Sequence, residues 1–410
     1  MSLRRCALVL GLVACGSPRE APNVPPVTTA QPPDTAEPAV IAPAVATSAA
    51  DAGAFDDVRA GNAFATKIFA QVKRAPGNML VSGTSVREAL AIPYLGARGD
   101  TAREMASVLE LPADASALVK TENAQWQEAK GQSELTIASK LWVEKTAPLR
   151  ADFVAGAPVE AIDFLHAADD ARRAIDKWAD DATAHHIPHL VPAGTIDART
   201  RMVVTNAVYM KARWSTPFEA SATKDEPFHV DGHTTKNVPT MHATETRGYA
   251  EIPGAKIVQL AYRGSDLAMT IVLHDDPNDE SIPEDAMRAL ATRRVSLAMP
   301  RFKFESGADL GSVLAELGMR APMSMAADFS GMTEKRDVAI GAVVHKTWIA
   351  VDEQGTEAAA ATAVVMRATS LIVGPVVEVK LDRPFLFLVR DVKRGRILFV
   401  GRVTDPTPKG

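Results

Sequence analysis

Two cysteines in 410 residues allow at most one disulfide, so the fold must be held by its apolar core. No run of about 18 or more apolar residues occurs, and no membrane-spanning helix is predicted. The formal net charge of −5 supplies no global basic field for nucleic acid. Aromatic residues are scarce at 5%, yet 47% of the chain is hydrophobic, enough for one large domain or two ordinary ones. There is no internal repeat, no GxSxG and no HExxH. The most informative shortage is local: between Thr356 and Gly374 there is no proline. Long surface loops are usually rich in Gly, Pro, Asn and Asp, which break strands.

That stretch holds alanine, threonine and valine instead. Residues 351–375 read VDEQGTEAAAATAVVMRATSLIVGP, between AIGAVVHKTWIAV and VVEVKLDRPFLFLV, both patterned as strands. Gly355 is a flexible point at its start. Beyond it, period-two alternation puts Thr356, Ala358, Ala360, Thr362, Val364 and Met366 on one face, small at first and apolar further on. Glu357, Ala359, Ala361, Ala363, Val365 and Arg367 fall on the other, which could face water. The segment reads as a strand without a partner, able to slide into a sheet.

The run DEQGTEAAAATA resembles the hinge of the reactive-centre loop of serpins. The resemblance spans residues 55–405. NMLVSGTSVREAL (78–90), LGARGDTAREMASVLEL (95–111), TNAVYMKARWSTPF (205–218), VPTM (238–241) and DRPFLFLVRDVKRGRILFVGRV (382–403) match further family blocks in the same order. Gly83 departs from them, standing where the family usually has proline.

The resemblance implies an α+β serpin fold: early helices packed on a large mixed sheet, smaller sheets, and an exposed reactive loop at about 352–375. It also implies suicide inhibition of a serine or cysteine protease. The loop is cleaved, inserts into the main sheet and traps the acyl-enzyme. The protein is then an inhibitor and not an enzyme, a monomer with a protease partner and without cofactor or metal. By the same resemblance, Glu353, Gly355, Thr356, Glu357, Ala358, Ala359, Ala360, Ala361 and Thr362 form the hinge. Ser82, Ser85, Asn206 and His345 form a polar cluster beneath the sheet opening, and Trp214, Arg301 and Glu353 mark the top, where insertion begins. Family spacing counted from Glu353 puts the cut bond between Thr369 and Ser370, with Arg367 and Leu371 as alternatives. Thr369 suits an elastase-like or subtilisin-like enzyme; Arg367 suits a trypsin-like one. The other reading is a non-inhibitory, serpin-fold binding or structural protein.

The residues alone give blander readings of the same positions. His345 shares its strand face with Val343, Thr347, Ile349 and Val351, as a hydrogen-bonded core histidine does. Trp214 could simply fill the core. Arg301 and Glu353 could be a surface pair worth less than about 1 kcal/mol. His185, His186 and His189 form an HHxxH string, but Pro188 interrupts the helix a zinc site would need. Ser221 and Lys224 fit SxxK, but in a polar stretch between Pro217 and Pro227, not at the start of an apolar helix.

At the front, Arg4 and Arg5 precede the short apolar run Ala7 to Ala14. Leu12-Val13-Ala14-Cys15 then resembles a bacterial lipobox. It implies a lipoprotein signal peptide at 1–14 and lipid on Cys15. Export to the outer membrane, cell surface or periplasm follows, with membrane contact through the lipid only; plain secretion is the alternative. Residues 15–52, rich in Pro, Ala, Thr and Val, cannot bury enough surface to order themselves and read as a disordered tether. Fully extended it spans on the order of 100 Å. Residues 53–410 then form a single domain.

Within that domain, helices are expected at 55–72, 82–96, 101–111 and 169–184. Strands are expected at 135–143, 201–209, 295–304, 340–351, 376–381, 385–389 and 396–403, with two more in 257–273 joined at Arg263-Gly264-Ser265. Helices early and strands late argue α+β. The helix at 101–111 has no basic face, so polyanion activation is not expected.

Overall fold

The computed structural model describes residues 55–334, 337–356 and 375–407, and the side chains of these apart from 117–123. The early helices are α1 (Asp57–Val72), α2 (Gly83–Gly96), α3 (Gly99–Leu109), α4 (Ser116–Lys130), α5 (Ala151–Gly156) and α6 (Phe164–Ala182). Helix α1 starts where the Asp56 carboxylate accepts from the Arg59 N–H, and it buries Phe64, Ile68 and Phe69. Ser82 caps α2, its Oγ accepting from the Ser85 N–H at 3.3 Å. Helices α1 and α2 touch closely at Gly83. A Cβ there would lie 2.4 Å from Ala65 Cα, so the position usually held by proline has no room here for any side chain.

Six strands form the first sheet, in the order β10-β11-β12-β4-β2-β3. They are β2 (Glu134–Glu144), β3 (Val159–Ile162), β4 (Met202–Arg213), β10 (Phe302–Asp309), β11 (Ile340–Val351) and the two-residue β12 (Gly355–Thr356). The sheet is mixed: β11 runs antiparallel to β10 and parallel to β4, while β4 is antiparallel to β2. The second sheet has nine strands: β1 (Met79–Val81), β5 (Lys224–His229), β6 (Thr235–Ile252), β7 (Ala255–Ala261), β8 (Leu267–His274), β9 (Ala291–Pro300), β13 (Val377–Lys380), β14 (Phe385–Asp391) and β15 (Arg396–Val403).

Side-chain alternation divides the first sheet into two faces. Ala207 and Tyr209 of β4, with Trp348 of β11, pack outward with Ile175 and Ala179 of α6. Val208, Met210, Ile349 and Phe302 pack inward against the second sheet. Each is buried, and each such aliphatic or aromatic side chain contributes about 1.5–3 kcal/mol.

Two sequence expectations need correction. The strand expected at 295–304 is two strands in different sheets, β9 and β10, with Arg301 at the corner between them. The apolar alternation slips by one residue there, from Val295, Leu297 and Met299 to Phe302 and Phe304, and that slip across Pro300 and Arg301 marks the change of sheet. Helix α4 and the β5–β6 hairpin carry too few apolar residues at regular spacing to be read, and they were not among the expected elements.

Candidate functional site

Strands β11 and β4 lie side by side, in one register from Ala342 opposite Val203 to Trp348 opposite Tyr209, after a one-residue shift above Ile340 opposite Met202. Above that point they part, and β12 stands between them. Gly355 pairs with Arg213, and Thr356 pairs with both Ala212 and Val351. The first two residues after the Asp352–Gln354 turn therefore already form a short strand between β4 and β11.

Gly355 serves both conformation and clearance. Its φ is positive, at 157°, and a Cβ would sit 2.0 Å from the Ala212 carbonyl oxygen. The residues before it are firmly docked. Asp352 Oδ1 accepts from the Gln354 and Gly355 N–H groups at 2.8 and 3.2 Å. The Trp214 indole N–H donates to the Asp352 carbonyl at 3.0 Å, and the Trp214 and Phe218 amides donate to the Gln354 and Glu353 carbonyls at 2.9 Å each. Trp214 stacks on Tyr262, with centroids 4.7 Å apart and planes 10° apart. The Tyr262 hydroxyl meets Thr356 Oγ1 at 2.7 Å, and both side chains are buried. Trp214 thus fills the core and fixes residues 352–354 at once.

Glu353 is 5% exposed, so its pair with Arg301 joins a buried carboxylate to a guanidinium that remains exposed. Arg301 Nε donates to Glu353 Oε1 at 2.8 Å, and Thr223 Oγ1 donates to the same oxygen. Burial works against the charge, but the Arg301 guanidinium and the Thr223 hydroxyl outweigh it and hold the carboxyl below its ordinary range. At Asp352, burial pushes in the same direction and here dominates, so that carboxyl is raised.

Lower in the sheet, His345 of β11 faces Asn206 of β4 directly across the join. His345 Nδ1 donates to Asn206 Oδ1 at 2.6 Å, and His345 Nε2 accepts from the Ser82 backbone N–H at 3.1 Å. The ring is therefore neutral with its proton on Nδ1. Burial pushes its pKa down to about 3, which Asn206 only partly opposes. Ser85 Oγ donates to Asn206 Oδ1 at 2.8 Å, and Asn206 Nδ2 donates to Ser139 Oγ at 2.9 Å. Ser82, Ser85, Asn206 and His345 thus meet in one buried network spanning α2, β4 and β11, and Ser139 extends it to β2.

Sequence reasoning missed Ser139, Phe218, Thr223, Asp352 and Tyr262, which became visible only once the strands were paired. The hinge residues Glu357 to Thr362, the bond candidates Arg367, Thr369, Ser370 and Leu371, and Cys15 lie outside the described residues. The three histidines of HHxxH diverge: His185 bonds Asp180, His186 stacks on aromatic rings, and His189 is exposed with its carbonyl accepting from Lys346 Nζ. Ser221 and Lys224 are both exposed, and Lys224 pairs with Glu226 at 2.9 Å.

A mixed sheet with two parallel neighbours, and a short strand between them beyond their paired stretch, defines a class of protein. Residues 59–406 match the family model for Serpin (serine protease inhibitor). Leukocyte elastase inhibitor of Bos taurus is 35% identical over 80% of this chain and 93% of its own length. An uncharacterized serpin-like protein of Thermococcus kodakarensis is 33% identical, covering 85% of each. Among solved structures, a highly specific serpin of the insect Tenebrio molitor superposes with a TM-score of 0.77 at 31% identity, covering 87% of this chain and all of that one. Uncleaved ovalbumin shares the fold with a TM-score of 0.76 at 24% identity, over 85% of this chain and 99% of its own. The chain belongs to the serpin family. Membership, together with relatives named for elastase inhibition, supports protease inhibition as the general activity.

Proposed function

We propose that this protein inhibits a serine protease by suicide insertion, with cysteine proteases as a second target class. The observation that carries this reading is the register of β12. Antiparallel pairing of Gly355 with Arg213 and Thr356 with Ala212, continued down the join, sets every later residue. Glu357 would oppose Lys211, Ala359 would enter between Tyr209 and Trp348, Thr362 between Asn206 and His345, and Met366 would reach Met202 at the start of β4. The β11 side, where Thr356 opposes Val351, gives the same partners. Thr356 to Met366 would span about 36 Å, at about 3.3 Å per residue.

Side-chain size agrees with that register. Thr356, Ala358, Ala360, Thr362, Val364 and Met366 would face the inner core, as Asn206 and Val208 do. Ala359, Ala361 and Ala363 would lie on the outer face that α6 packs on, and the charges of Glu357 and Arg367 would fall near the two ends. Thr362 would bring a hydroxyl to the place where His345 and Asn206 lose each other.

The chemistry needs only the protease's own machinery. Its nucleophilic oxygen bonds the Thr369 carbonyl carbon, the Thr369–Ser370 bond breaks, and the Ser370 nitrogen leaves with a proton. Relaxation of the cut loop into the sheet then carries the acylated enzyme away from its docking site before water deacylates it. Thr369 favours an elastase-like or subtilisin-like target; Arg367 in its place would favour a trypsin-like one. Export on a lipidated Cys15, with residues 15–52 as tether, belongs to the same reading. The test is a protease panel scored for SDS-stable complexes. The expected product is a complex with a released peptide that begins at Ser370; turnover by every protease without a complex would overturn the proposal.

A further inference from the structure

The turn after α6 holds a strained backbone. Ala184 and His185 are both left-handed, at φ 50° and 64°, a conformation that non-glycine residues rarely adopt. Several bonds fix it. Thr183 Oγ1 donates to the Ala179 carbonyl at 2.7 Å and accepts from the Ile187 N–H at 3.1 Å. His185 Nδ1 lies 2.8 Å from Asp180 Oδ2, and its amide donates to the Asp180 carbonyl at 2.9 Å. Ile187, just beyond, is fully buried. This turn delivers His186. Its ring stacks on Tyr209 at 4.7 Å with planes 10° apart, and lies against Trp348 at 4.4 Å and 38°. Tyr209 and Trp348 are register partners on β4 and β11, their rings 6.1 Å apart. On the outer face of the sheet, His186 therefore bridges the same two strands that His345 and Asn206 join on the inner face.

We infer that His186 is a clamp that sets the rate of strand insertion, acting through Tyr209 and Trp348. The inference rests on the insertion reading above. In that register Ala359 comes between Tyr209 and Trp348, and their strands move from one spacing, about 4.8 Å, to two, about 9.6 Å. One imidazole cannot stack on both rings at that separation. The clamp stabilises the closed sheet alone, and it must release before the strand can pass. Backbone strain stored in the turn is what positions it.

The test compares wild type with His186→Ala and His186→Phe. Three quantities are read: the insertion rate, followed by tryptophan fluorescence after rapid loop cleavage, and the melting temperatures of the intact and loop-nicked forms. The alanine variant is expected to insert about tenfold faster, the effect of losing aromatic contacts of ordinary strength. Its intact form should melt lower while its nicked form melts as wild type does. Phenylalanine, which keeps a ring, should restore wild-type behaviour. Equal losses in both forms, or an unchanged insertion rate, would overturn the clamp. Should the alanine variant not fold, His186→Gln, which keeps polarity and length without a ring, must show the same split. If wild type itself traps no protease and gains no thermal stability on nicking, the insertion reading falls and the clamp falls with it. If wild type does both and the ring-free variants match it, the clamp alone falls.

Discussion

The buried imidazole of His345 makes the closed sheet sensitive to mild acid. In the folded protein its pKa sits at about 3, against 6.5 when solvated. Between those values the unfolded chain takes up a proton that the native chain refuses, so stability rises with pH through the window and falls as pH drops. The depressed folded value gives the sign: the contribution is near zero above pH 6.5 and increasingly unfavourable below it. At pH 5 the difference amounts to about 2 kcal/mol, from about 1.4 kcal/mol per pH unit below 6.5. Carboxylates titrate over part of the same range, so the measurement needs a control. His345→Gln provides one, because an amide can still donate to Asn206 Oδ1 and accept from the Ser82 N–H but does not titrate. Urea midpoints of both proteins between pH 7.5 and 5 should show wild type losing stability that the glutamine variant keeps. Parallel curves would refute the reasoning, and with it the neutral, Nδ1-protonated state of the ring.

Two substitutions test the close contacts. Gly83→Pro restores the residue the family usually carries, but drives a Cβ to 2.4 Å from Ala65 Cα; chemical denaturation should show a loss of about 1–3 kcal/mol, and equal or greater stability would contradict the packing described. Gly355→Val meets the Ala212 carbonyl at 2.0 Å and should expel β12. The Trp214 and Phe218 amides, which donate to Gln354 and Glu353, should then exchange roughly tenfold faster with solvent, the effect of losing about 1.4 kcal/mol of hydrogen bonding; unchanged protection would show that the hinge docks without Gly355.

Much of this is legible in the sequence. The strand at Ile340–Val351 follows from its apolar alternation, while the strand read after it lies outside the described residues except for Gly355 and Thr356, which are paired on both sides. The cluster at Ser82, Ser85, Asn206 and His345 came from family resemblance, and its geometry came from pairing β11 with β4, a long-range fact that no local pattern carries. Arg301 was named by family resemblance, but the corner it occupies was passed over, although the apolar alternation slips by one residue between Met299 and Phe302. Strand β6 was hidden because TKNVPTMHATETRGYAEI has no continuous apolar face. Gly355 was read as a point of flexibility; it holds a positive φ, and the space it leaves beside Ala212 was visible only in the fold. His186 was weighed only as a metal ligand. Its partners Tyr209 and Trp348 come to one height only when their strands are in register.

The central claim is that the intact fold stops short of its most stable arrangement and that cutting the loop lets it finish. Thermal unfolding of the intact protein, set beside the same protein nicked once between Glu357 and Gly374 with both fragments retained, tests this most directly. A large rise in melting temperature on nicking is predicted, since Thr356 to Met366 would then fill the space between β4 and β11. An unchanged or lower melting temperature would contradict it.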